Sequence, residues 1–83
     1  MHPTQIREHL RRQPFEPFRV HVSDGTHYDV RHPEMAFITA RELFIAVKLA
    51  EENLPDKVIW CDPLHVTRIE RIEPNGRTRR KQA

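Results

Sequence analysis

FRVHVSDGTHYDV, residues 18–30, is the stretch whose reading decides the fold. It contains two short runs rich in β-branched and aromatic residues around Ser23-Asp24-Gly25, the signature of a β-hairpin. A two-residue type I′ loop at Asp24-Gly25 would set Val22 against His27 and Val20 against Asp29, so the apolar residues of the two strands would lie on opposite faces. A three-residue loop, with a type I turn closed by Gly25 as a G1 bulge, pairs Val22 with Thr26, Val20 with Tyr28 and Phe18 with Val30. One face then becomes apolar. The other sets Arg19 against Asp29 and His21 against His27.

Working outward, residues 3–12 read as a short helix. Pro3 suits the first helical position, His2 or Thr4 supplies a cap, and Ile6 and Leu10 form an i, i+4 apolar pair before Pro14 stops it. So small an apolar face must dock on something larger. After the hairpin, Arg31-His32-Pro33-Glu34 makes a corner, since proline removes a ladder donor and biases His32 toward extended backbone. Residues 35–38 and 43–49 form a second hairpin about Thr39-Ala40-Arg41-Glu42. Pairing Ile38 with Leu43 and Ala36 with Ile45 leaves Phe37 and Phe44 together on the reverse face, so both faces are partly apolar. Such a ribbon needs the barrel interior on one side and the N-terminal helix or another subunit on the other.

Residues 50–57 read as a polar loop and residues 58–61 as a strand. Asp62 caps a single turn, and residues 66–69 resume as a strand that continues toward Ile72 with an irregularity near Glu70. The expected architecture is mainly β: a small five-stranded antiparallel barrel of SH3-like or Sm-like form, capped by the N-terminal helix, because closure removes sheet edges that so short a chain cannot cover. Residues 1–76 form this single domain, and residues 77–83 a basic, disordered tail.

In layout the chain resembles the Sm-like family, in particular its bacterial Hfq branch, across roughly residues 5–72. The resemblance is carried by LRR at residues 10–12, VSDGT at 22–26, LFIAVK at 43–48 and LHVTRI at 64–69. It departs where the family carries a glycine in its bent second strand, here Asp29-Val30-Arg31, and where the family places an aspartate, here His32-Pro33-Glu34. The bacterial branch's lysine-histidine pair is not reproduced, as Pro63-Leu64 precede His65. Carried to function, the resemblance implies a ring of subunits that holds single-stranded RNA by stacking and basic side chains.

At 83 residues and 37% hydrophobic, the chain makes one domain near the size where a single core barely suffices. One cysteine, Cys61, excludes an internal disulfide, and no apolar run approaches the roughly 20 residues that span a bilayer. A cytoplasmic protein without membrane attachment is expected. The tail holds four of the 14 basic side chains and none of the 12 acidic ones, which leaves residues 1–76 with ten against twelve, a net of −2.

These features nominate Arg11, Arg12, His65, Arg68, Arg77, Arg79, Arg80 and Lys81 for nucleic-acid contact, against the commoner case of solvated charges. Phe37, Phe44 and Trp60 are nominated for an oligomer or partner interface; as aromatics in strands they would more commonly be core. His21 and His27, with His32 or Glu34 nearby, supply half of a zinc site, and two ligands are not a site. Cys61, Asp62 and His65 hint at a nucleophile pair, but capping and packing explain them more simply, and no glycine-rich oxyanion turn accompanies them. No cofactor is expected. The leading reading is a non-enzymatic module that self-associates and binds a macromolecule, with single-stranded RNA first; the alternative is a protein-assembly subunit with no nucleic-acid role.

Overall fold

The computed structural model describes residues 1–47 and 57–73. The basic tail and nearly all of the expected polar loop lie outside them. Lys57, read from the sequence as loop, is the first residue of a strand. No helix among the described residues is long and apolar enough to cross a membrane.

Helix α1 (Pro3–Arg11) is opened by a capping box. His2 Nδ1 accepts from the Thr4 amide at 3.1 Å, and the Gln5 side chain accepts from the His2 amide at 3.2 Å, so two amides at the helix start gain partners. Six strands follow among the described residues: β1 (Phe18–Val22), β2 (His27–Val30), β3 (Ala36–Ile38), β4 (Leu43–Val47), β5 (Lys57–Cys61) and β6 (Val66–Arg71). Short 3-10 turns at Pro33–Met35 and Pro63–His65 lead into β3 and β6.

Both hairpins take the register that the apolar pattern requires. In the first, Phe18 faces Val30, Val20 faces Tyr28 and His21 faces His27. Its turn is closed by Val22 N–H to Thr26 O at 2.9 Å and Gly25 N–H to Val22 O at 3.0 Å, with Gly25 at φ +90°. In the second, Ala36 faces Ile45, Phe37 faces Phe44 and Ile38 faces Leu43. That turn does without glycine because the Thr39 hydroxyl accepts from the amides of Arg41 at 3.2 Å and Glu42 at 2.9 Å.

The architecture differs from a closed five-stranded barrel. Six strands are divided between two three-stranded antiparallel sheets, ordered β2-β1-β6 and β3-β4-β5. The division arises at the Pro63–His65 turn, where Asp62 Oδ1 accepts from the Leu64 amide at 2.9 Å. The turn separates β5, which pairs with β4, from β6, which pairs with β1. The irregularity expected near Glu70 lies instead at Thr67. His21 faces Arg68 while Val22 faces Val66, so Thr67 is the extra residue, and its hydroxyl donates to His21 O at 3.2 Å. This bulge lets Val66 and Ile69, three apart, both turn toward the core.

Between the sheets lie the fully buried Ile6, Phe18, Val20, Val30, Leu43, Ile45 and Val66. The sequence offered α1 as a cover for the reverse face of the second hairpin. Ile6 instead joins the inner cluster, and Phe37 on that reverse face stays 65% exposed.

Candidate functional site: the aromatic face and its end cleft

The alternation that turns Leu43 and Ile45 inward on β4 turns Phe44 outward between them. Phe44 lies between Phe37 on β3 and Trp60 on β5, so the three aromatics form one row across the whole sheet. In the adjoining row Ala46 faces Val58. Phe44 is half-buried, whereas Phe37, Val58 and Trp60 are each at least 60% exposed. Aromatics of this size in water, side by side on a sheet face, form an apolar patch of the kind that marks an interaction surface.

The outward face of the other sheet has opposite chemistry. Across β2 and β1 run Asp29 with Arg19 and His27 with His21, and β6 adds Glu70 opposite Arg19 and Arg68 opposite His21. Arg19 grips Asp29 through two hydrogen bonds, Nε to Oδ1 at 2.7 Å and Nη2 to Oδ2 at 3.2 Å, and this holds the guanidinium above its ordinary pKa. His21 Nε2 lies 2.9 Å from Glu70 Oε1. That hydrogen bond, with further help from Arg68 and Arg19, lowers the Glu70 pKa. The His21 and His27 rings are 5.9 Å apart, as their pairing requires. Among the described residues no group of three or more His, Cys, Asp or Glu side chains has the arrangement of a metal site.

At the Trp60 end of the aromatic row the two sheets meet around a cleft of about 510 Å³. Its walls are Val22, Ser23 and Asp24 from the first turn, Arg41 from the second, the Trp60-Cys61-Asp62 end of β5, and His65. Two contacts fasten the first turn to the 3-10 turn: Ser23 N–H donates to His65 O at 2.8 Å, and Ser23 Oγ lies 3.1 Å from His65 Nδ1. Asp24 Oδ1 accepts from both the Thr26 amide and hydroxyl, which lowers the carboxyl pKa, with His65 adding to the effect. Cys61 faces Leu43 and packs on the core. Burial pushes its thiol pKa up, and the charges of Asp62 and Asp24 push it further. A thiol so disposed carries little thiolate at neutral pH, which argues against a nucleophile here.

Sequence reasoning grouped Phe37, Phe44 and Trp60, and the structure sets them in one row. The nominated basic residues sit on three separate elements. Arg11 and Arg12 are at the end of α1, where Arg12 approaches Glu16 at 4.0 Å; Arg68 is on the polar face of β6; and His65 is in the cleft. Arg77, Arg79, Arg80 and Lys81 lie outside the described residues. The meeting of Ser23, Arg41 and Trp60 with His65 was not foreseen, and no local pattern announces it, since Ser23 and His65 stand 42 residues apart.

Comparison with known families, characterised proteins and solved structures finds no match for this chain, and nothing in it places the chain among the Sm-like proteins.

Proposed function

We propose that this chain is a non-enzymatic association module whose working surface is the outward face of β3-β4-β5, and that its first partner is protein, including further copies of itself. The observation that carries this reading is the row Phe37-Phe44-Trp60, continued by Val58, on a sheet whose opposite face already fills the core. A domain this small gains little from exposing such side chains and much from covering them. The other sheet is polar, with Arg19 paired to Asp29 and His21 to Glu70, so that face suits contact with water.

The same row is a stacking surface for unpaired bases, which is the form an RNA-binding role would take. Protein contact is preferred because Arg11, Arg12, Arg68 and His65 are spread over separate elements and do not line one track beside the aromatics. Sedimentation of the full chain over a range of concentrations tests the reading. Species larger than a monomer are expected, with Phe37→Ser moving the population toward monomer. A monomer at every concentration, together with salt-sensitive binding of a labelled single strand, would replace it with the RNA reading.

A further inference from the structure

The cleft beside Trp60 has a chemistry that a flat apolar contact does not use. Four charged or titratable side chains face it besides Cys61: Asp24, Asp62, Arg41 and His65. Two carboxylates stand there against one guanidinium, with the imidazole beside them. The field this produces is felt at Cys61, where Asp62 and Asp24 add to the effect of burial. Both carboxylates are held in place by their own turns, Asp24 through Thr26 and Asp62 through the Leu64 amide, and in each the accepting atom is Oδ1. Beside them stands the indole of Trp60, 66% exposed. An aromatic face next to fixed carboxylates is the setting that recognises a guanidinium or ammonium group on a flexible stem.

The chain carries such groups in one place and in excess, at Arg77, Arg79, Arg80 and Lys81, while residues 1–76 are net negative. We propose that the cleft receives residues 77–81 of a second copy of this chain, an inference that rests on the self-association reading above. A second copy meets the cleft more directly than the chain's own tail, which must double back along β6. The cleft lies at the Val66 end of β6, whereas the tail leaves from the Ile72 end, where the Ile72 amide donates to Pro17 O. Strand β6 alone is about 20 Å long. Arg77, five residues past Ile72, reaches at most about 17 Å even fully extended. Arg79, Arg80 and Lys81, seven to nine residues past Ile72, span about 24 to 31 Å when extended and reach their own cleft by doubling back along β6. A copy bound head to tail has no such restriction. The contact is heterologous, so it builds a ring if the rotation closes and an open chain if it does not.

The test uses isotope-labelled chain in which Arg77, Arg79, Arg80 and Lys81 are all changed to Gln, titrated at low salt with unlabelled wild-type chain. The Trp60 indole N–H and the Asp24 and Asp62 amides are expected to shift saturably and to return when salt is raised. Asp24→Asn with Asp62→Asn in the labelled chain keeps both Oδ1 acceptors and is expected to weaken the effect about tenfold. Equal shifts with an unlabelled titrant that also lacks the four charges would overturn the tail proposal. So would movement of Phe37 and Phe44 with the cleft signals still, although the aromatic-face reading would stand. Cleft shifts without movement of Phe37 and Phe44 would support the tail and remove the face. If no signal moves, both readings fail. If labelled wild-type chain shows the shifted cleft at every dilution, its own tail is the occupant and the second-copy assignment is wrong.

Discussion

The two sheets share one core and present opposite outward faces. On β2-β1-β6 the outward residues are Arg19, His21, His27, Asp29, Arg68 and Glu70, with Arg19 bound to Asp29 and His21 to Glu70; on β3-β4-β5 they are Phe37, Phe44, Ala46, Val58 and Trp60. Both are antiparallel sheets of three strands with the same inward alternation, so strand geometry alone does not explain the difference. What differs is how each outward side chain meets water. One face is polar and makes two ion pairs within the sheet, and the other leaves apolar area uncovered, which is the face on which we propose that a partner docks.

This contrast breaks first if inward and outward positions respond alike. Ile45→Ala removes a side chain that is 1% exposed and is expected to cost about 3 kcal/mol in urea unfolding, a large share of a total on the order of 5 kcal/mol for so small a domain. Phe37→Ser, on the neighbouring strand but facing out, should leave unfolding within about 0.5 kcal/mol of the parent. Its effect belongs in sedimentation, as association weakened at least tenfold, which is about 1.4 kcal/mol. If Phe37→Ser unfolds the chain instead, the face is structural and the comparison fails.

Next in size is Gly25→Ala. An added Cβ meets nothing within 4 Å, so the cost is purely that of positive φ, about 1 kcal/mol in thermal or urea unfolding. Gly25→Asn should cost less, and equal losses from both would point to packing. A double-mutant cycle on Arg19 and Asp29, partly exposed as they are, should give about 0.5–1 kcal/mol of coupling that declines with added salt. Association through the aromatic row alone should be nearly indifferent to salt.

The smallest effect is acid-dependent. Because the folded Glu70 pKa is depressed, its contribution is complete above the ordinary carboxyl value of 4.5 and is lost as pH falls through the lower folded value. Glu70→Gln should flatten that part of the stability profile while leaving association unchanged.

Much of this was legible in the sequence, for a definite reason. A hairpin register is a local matter, and Val20, Val22, Tyr28 and Val30 alternate against Arg19, His21 and Asp29 so regularly that only one loop length keeps them sorted. The reverse-face pairing of Phe37 with Phe44 followed in the same way. Choices between distant strands carry no such signal. Nothing near Val66 says that β6 will leave β5 to lie beside β1, so the sequence supports a closed barrel as readily as two sheets. The extra residue at Thr67 was hidden because a bulge in β6 shows only against its partner. The end cleft was invisible for a related reason, being assembled from two turns, a strand end and a 3-10 turn.

The pairing of β1 with β6 also decides what a shortened chain keeps. Strands β3, β4 and β5 follow one another along the chain and need only short closures, whereas β1 waits for a partner more than forty residues later. A fragment that ends before Val66 therefore keeps all three strands of the aromatic sheet while Val20 and Phe18 lack one neighbour, so loss of β6 unseals the core from the polar side and leaves the sticky face intact.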